Sequence, residues 1–168
     1  MTASTYTTFY LEMTSPLQLN RKAVPAALNI VECEVPQFEF NRFLYELIGS
    51  EWEWGDLDDW TDEQWREVVE SEAHRTWVAY YRGSIAGYYE LYRPDGTNTE
   101  IRYFGLANGA MGKGFGGALL GHAIESAWSW PGTERVWVHT CTFDHPSALS
   151  NYQARGMVMY QEEVATGS

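Results

Sequence analysis

Apolar and polar positions change period several times along this chain, and each change marks an element. Residues 5–13 carry a strand pattern that Ser15-Pro16 breaks, and residues 28–35 carry a second. Residues 37–48 change to helical spacing, with Phe38, Phe43, Leu44, Leu47 and Ile48 as the expected core face and Gly49-Ser50 as the stop. A second helix starts behind Thr61, which forms a capping box with Gln64, and runs to about residue 71. Strands at 76–82 and 85–92 flank Gly83-Ser84, the expected hairpin turn, and Pro94-Asp-Gly-Thr-Asn98 turns the chain into a strand at 99–106. In that strand, simple alternation puts Glu100, Arg102, Phe104 and Leu106 on one face and Ile101 and Tyr103 on the other.

A wide apolar helix face follows in Leu119, Leu120, Ala123, Ile124 and Ala127, and Pro131-Gly132 stops it. Residues 135–141 then read as a strand covered on both faces, so strand, loop, helix and strand make one right-handed βαβ unit. Its loop, Ala107-Asn-Gly-Ala-Met-Gly-Lys-Gly-Phe-Gly-Gly-Ala-Leu-Leu120, runs five glycines into the helix. Glycines admit backbone N–H groups close to a phosphate, and a helix start offers unpaired donors and a positive dipole end. The stretch therefore predicts a site for a phosphorylated ligand. It is not a Walker A loop, because Ala107 stands where the first glycine is required and Gly114 follows Lys113. Gly112-Lys-Gly114-Phe-Gly-Gly117 has the spacing of a dinucleotide fingerprint, but Glu134 precedes the next strand instead of ending it.

Two blocks resemble the GNAT superfamily of acyl-CoA-dependent N-acyltransferases. Met111-Gly-Lys-Gly114-Phe-Gly116 is similar to the motif Gln/Arg-x-x-Gly-x-Gly/Ala, with Met for Gln or Arg. Ala148-Leu149-Ser-Asn-Tyr152-Gln-Ala-Arg-Gly156-Met157 is similar to Ala-(Leu/Ile)-x-x-Tyr-x-x-x-Gly-Phe, with Met for Phe. The likeness extends less closely from about residue 28 to residue 160. It implies an α+β (α/β) fold in which one domain, residues 1–168, carries a mixed central β-sheet flanked by helices. Two features depart from the family pattern. Residues 5–13 are an extra strand at the front, and the chain after Gly156 has room for one strand, about 158–162, where the family has two. The extra strand is expected to supply the missing partner, within the chain or exchanged between the subunits of a homodimer.

Composition narrows the partners. At 168 residues and 45% hydrophobic, the chain can bury roughly two thirds of its unfolded surface in one core. With no 18-residue apolar run and no basic-then-apolar leader, it is expected to stay off membranes. Cys33 and Cys141, isolated in strand-like segments, suit reduced thiols in a cytoplasm. A net charge of −12 disfavours nucleic acid. Of only two lysines, Lys22 and Lys113, the second lies inside the glycine loop. His139, Cys141, Asp144 and His145 mix strand and loop spacing and match no zinc frame, so no metal is expected.

The resemblance implies acetyl-CoA as acetyl-donor cosubstrate, its pyrophosphate held by backbone amides from Met111 through Gly112, Lys113, Gly114, Phe115 and Gly116 to Gly117. Phe104, Leu106 and His145, the last at a helix entry where the family often has Asn, join that set. An aliphatic amine with a pKa of about 10.4 is almost fully protonated at neutral pH, so attack on a thioester benefits from a base and the departing thiolate from an acid. Glu100 matches the catalytic glutamate position of some family members and is the candidate base; a partner for Arg102 is its other reading. Tyr152 is the candidate acid or else a core tyrosine, and the Leu106 N–H would polarise the carbonyl. In this fold the segment Ser50-Glu-Trp-Glu-Trp-Gly-Asp-Leu-Asp-Asp-Trp60 overhangs the acceptor. Trp52, Trp54 and Trp60 offer flat walls, Asp58 with Asp56 and Asp59 attracts a cation, and His139 is a further acceptor contact; the other reading is that the tryptophans pack the helical layer under a solvated acidic rim and that the histidine is structural. The expected activity is N-acetylation of a primary amine on a small molecule, with a peptide amine as second choice, by direct attack in a ternary complex. The alternative is a non-catalytic acyl-CoA-binding or regulatory GNAT domain.

Overall fold

The computed structural model describes residues 4–50 and 54–167. Seven strands make one mixed sheet: β1 (Ser4–Met13), β2 (Leu28–Glu32), β3 (His74–Tyr81), β4 (Ser84–Tyr92), β5 (Asn98–Leu106), β6 (Arg135–Cys141) and β7 (Val158–Gly167). Their spatial order is β2-β3-β4-β5-β6-β1-β7, antiparallel everywhere except between β5 and β6. Four α-helices flank the sheet among the described residues: α1 (Phe38–Gly49), α2 (Asp62–Val69), α3 (Phe115–Ser129) and α4 (Ala148–Ala154). The parallel pair is the one that α3 connects, since a parallel crossover needs a long return path.

β1 lies between β6 and β7 and pairs with both. The front strand therefore fills the slot beside β7 within the chain, and no exchange between subunits is needed to pair it. Leu11 and Met13 are fully buried, while Tyr6 and Thr8 alternate onto the other face. With a ten-residue partner alongside, β7 continues past the expected end at residue 162 to Gly167.

The two faces of the sheet have different cores. On one, Leu119, Leu120, Ala123, Ile124 and Ala127 of α3 pack with Leu11, Tyr89, Leu91, Ile101, Val136 and Val138. On the other, α1 and α2 bring Leu44 and Ile48 against Val78 and Tyr88, and Phe38 and Tyr45 together with Trp65 and Val69. The capping box of Thr61 and Gln64 forms as expected and starts α2.

Several local expectations are corrected. Phe43 and Leu47 are 48% and 40% exposed, because the inward stripe of α1 runs through Phe38, Asn41, Leu44, Tyr45 and Ile48. The hairpin turn is Arg82-Gly83, with φ of +51° and +86°, and Ser84 already pairs with Tyr81. Two positive φ values give a turn whose twist matches the strands. β2 ends at Glu32, short of residue 35. β6 is not covered on both faces: Val136, Val138 and Thr140 are buried, whereas His139 between them is exposed. The largest correction lies in β5. Leu91 pairs with Ile101 but Glu90 pairs with Tyr103, which leaves Arg102 as a bulge. The extra residue reverses the alternation, so Glu100 shares a face with Tyr103 and Gly105, and Phe104 and Leu106 share the opposite face with Ile101.

Candidate active site

β5 and β6 pair only through Asn98↔Arg135, Thr99↔Val136 and Glu100↔Trp137, and then diverge. A cleft of about 890 Å³ opens beyond that point, with Phe104, Gly105 and Leu106 on one wall and Val138, His139 and Cys141 on the other. The Ala107 N–H donates to the Ala86 carbonyl at 2.8 Å, toward β4. Strand alternation then turns the Leu106 N–H the other way, toward β6, where no ladder partner meets it. Gly105 lets α1 close on this wall, since a Cβ there would lie 2.5 Å from Cγ2 of Ile48.

At one end of the cleft the chain turns into α3 through Gly112 and Gly114, with φ of +78° and +80°. Gly114 is the N-cap and has no side chain to cap with, so the first-turn N–H groups are left to solvent or a ligand. Met111, Gly112, Gly116 and Gly117 line the cleft beside Phe104 and Leu106. Lys113, Gly114 and Phe115 do not. The Lys113 Nζ lies 5.6 Å over the Tyr81 ring, and Phe115 is buried with its ring 5.2 Å from the same tyrosine.

Two further cations near this loop come from elsewhere in the chain. Lys22 Nζ donates to the Gly114 carbonyl at 3.1 Å, and Asn151 Nδ2 donates to the Gly116 carbonyl at 3.2 Å. A Cβ on Gly117 would lie 2.9 Å from Lys22 Cδ and 3.4 Å from Arg155 Nη1. Arg155 also holds a buried Nε with no hydrogen-bond partner among the described residues. The segment carrying Lys22 is laced to the end of α4: Asn20 N donates to Arg155 O and Asn20 Nδ2 to Ala154 O, both at 2.8 Å. Gly156, at φ +108°, is required there because its Cβ would fall 2.0 Å from the Gln18 carbonyl oxygen. No sequence pattern singles out Asn151 or Arg155, and the scarcity of lysine is the one signal for Lys22.

Tyr152 is buried on the α3 side of the cleft, its ring 6.2 Å from Phe104, and its hydroxyl has no hydrogen-bond partner among the described residues. Burial, reinforced by Asp144, raises its pKa well above the ordinary phenol value, so it holds its proton. Glu100 does not line the cleft, and its side chain is 15% exposed. Burial pushes its pKa up, against the opposing pull of His139 and then Arg102. Its Oε2 lies 3.6 Å from Nε2 of His139, which does line the cleft and is 49% exposed. His145 lines the cleft as well, and its Nδ1 accepts from the Ser147 N–H at 2.9 Å.

The other end of the cleft is assembled from distant segments. Trp54 lines it, with its ring 5.4 Å from Tyr103 and its Nε1 donating to Asp144 at 3.2 Å. Asp144 also accepts from the Thr140 hydroxyl and the Cys141 N–H, which ties the loop after β6 to the loop before α2. Asp56, not Asp58, is the loop carboxylate at the cleft, and it accepts from the hydroxyls of Tyr45 and Tyr103. Asp58 is exposed away from it. Trp60 packs edge-on against Trp65, ring centroids 5.3 Å apart, under the Arg102 guanidinium. Trp52 lies outside the described residues. Tyr6 and Phe143, their rings tilted at 39° with centroids 5.3 Å apart, complete the mouth, and neither was singled out by the sequence.

Among the described residues, no group of three or more His, Cys, Asp or Glu side chains is placed to hold a metal ion, and no helix is long and apolar enough to cross a membrane. The family model for the acetyltransferase (GNAT) family matches residues 41–157. The chain belongs to the GNAT family. No curated protein matches it. Among solved structures, this GNAT chain is similar to a GCN5-related N-acetyltransferase from Sphaerobacter thermophilus, with a TM-score of 0.70 and 16% identity over 98% of this chain and 53% of that one. A GCN5-related N-acetyltransferase from Kribbella flavida has a TM-score of 0.66 at 16% identity over 99% of this chain and 59% of its own. An aminoglycoside acetyltransferase from an uncultured soil metagenomic sample, solved in complex with trehalose, has a TM-score of 0.60 at 18% identity over 77% and 87%. The chain thus spans between half and three-fifths of the length of the first two, and at these identities the likeness is one of fold.

Proposed function

We propose that this chain transfers an acetyl group from acetyl-CoA, the acetyl-donor cosubstrate, to a primary amine on a small molecule, by direct attack in a ternary complex. The observation that carries the reading is a single cleft with a glycine-built anion cradle at one end, carboxylates and rings at the other, and the Leu106 N–H between them. The residues at the cradle fit a polyanion. Gly112 has open space where a Cβ would stand, Lys22 and Arg155 flank the loop, and the buried Arg155 Nε is a donor with no partner among the described residues.

The chemistry follows from the positions. The amine nitrogen attacks the thioester carbonyl, whose oxygen gains charge within reach of the Leu106 N–H. The C–S bond breaks, the Tyr152 hydroxyl gives its proton to the departing thiolate, and the second proton that the nitrogen sheds as the amide forms restores the phenol. The proton lost by the ammonium passes to a base at the mouth of the gap, where Glu100 stands behind His139. Trp54, Asp56 and Tyr103 form the part of the wall suited to a cationic acceptor. Thiol release from acetyl-CoA, assayed over small amines, amino acids, aminoglycosides and peptides, tests this directly. Release with a small amine is the expected outcome. Acetyl-CoA binding with no release for any amine would leave a non-catalytic acyl-CoA-binding domain instead.

A further inference from the structure

We infer that His139 is the base that touches the acceptor amine, and that Glu100 is a positioning residue acting through it. The inference rests on the acetyl-transfer reading and assigns a step within it. Glu100 sits at the last paired position of β5 and β6, where the strands are still joined. Two residues further along the same face of β6 the strands have separated, and His139 stands in the opening. The carboxylate is thus behind the imidazole as seen from the cleft, with Oε2 3.6 Å from Nε2. That separation is longer than a hydrogen bond, as catalytic contacts often are before substrate closes the site.

The surrounding groups leave His139 as the free acceptor. Asp144 is occupied by the Thr140 hydroxyl, the Cys141 N–H and the Trp54 indole. Asp56 is occupied by two phenols. On β1 Tyr10 faces the imidazole with ring centroids 5.9 Å apart, and its hydroxyl donates to Glu163. Trp137, 6.1 Å away, flanks the ring along β6, and Arg102 lies on the Glu100 side. The burial that lifts the Cys141 pKa keeps that thiol protonated. His139 makes no hydrogen bond among the described residues. With Nε2–H turned to Glu100, the lone pair is on Nδ1, which takes one ammonium proton as the nitrogen becomes nucleophilic; the Glu100 carboxylate stabilises the resulting imidazolium. Imidazole is the side chain most often used for proton abstraction near neutral pH.

The test uses the full chain and two kinds of readout. In a ¹H–¹⁵N titration, Glu100→Gln should lower the His139 pKa, because removing the anion destabilises the imidazolium; an unchanged value would overturn the pairing whatever the enzyme's activity. In single-turnover assays with the best amine, His139→Gln should lower the rate on the order of 10²-fold or more and abolish the acidic limb of the pH profile. Glu100→Gln should instead keep that limb and move it to lower pH. Loss of the limb in Glu100→Gln with its retention in His139→Gln would make Glu100 the base and reject the inference. Wild-type protein that binds acetyl-CoA but releases no thiol with any amine would reject acetyl transfer itself, and the catalytic role of His139 with it.

Discussion

The two ends of the cleft are built on different principles. The end proposed to hold the donor's phosphates is a contiguous run from Met111 to Gly117 that offers backbone amides, so it depends on glycine φ values and a helix start. The acceptor end is assembled from β1, the loop before α2, β5, β6 and the loop after β6, and its working groups are side chains joined by contacts such as Trp54 to Asp144. A backbone-built site travels with its motif and recognises what all bearers of the motif share. A side-chain-built site is particular to the chain that assembles it, and under the proposed reaction that is where acceptor choice would reside.

The severest way to break this contrast is to delete residues 1–13. β1 joins β6 to β7 and also supplies Tyr6 and Thr8 to the acceptor end. Loss of cooperative thermal unfolding is expected by circular dichroism; a truncation as stable as the full chain would show that the acceptor end stands without β1. Next in size is Gly116→Val, which should damage the cradle alone. A Cβ at Gly116 makes only ordinary 3.7 Å contacts with Asn151 and Leu106, so the fold should survive. Acetyl-CoA affinity, measured calorimetrically, should fall roughly 5- to 150-fold, the 1–3 kcal/mol that overfilling a packed contact costs. Gly114→Val is a less selective probe, because φ +80° strains any side chain. The smallest effect belongs to Trp54→Phe, which keeps a ring but removes the donor to Asp144. The amine KM should rise about two- to tenfold, as expected for one hydrogen bond of about 0.5–1.5 kcal/mol, with acetyl-CoA affinity unchanged. Equal losses for both ligands would mean that the two ends are not separable.

Much of the fold was legible because it rests on local rules. The capping box at Thr61, the apolar stripe of α3 and the glycine entry to that helix all act within a few residues. Where reading failed, a short-range rule met a long-range contact. The expected core role of Phe43 and Leu47 came from apolarity alone, but only the stripe through Leu44 and Ile48 meets the sheet. Simple alternation put Glu100 beside Leu106, and one bulged residue at Arg102 moved it to the other face.

By itself, the sequence determined the GNAT blocks, the glycine cradle and the presence of a front strand, since each is written in a contiguous pattern of residue types. Tertiary structure decided where that strand goes, because the slot between β6 and β7 is defined by ladder partners more than a hundred residues away in the chain. It also decided that Lys22 and Arg155 lie beside the glycine loop while the Lys113 ammonium lies over the Tyr81 ring, and that Asp56 and His139, not Asp58 and Trp60, line the cleft. The physical reason is one of range. Dihedral preference, capping and periodicity act over one or two turns of chain, whereas the contents of a cleft depend on which distant side chains converge after sheet register and helix packing have been set.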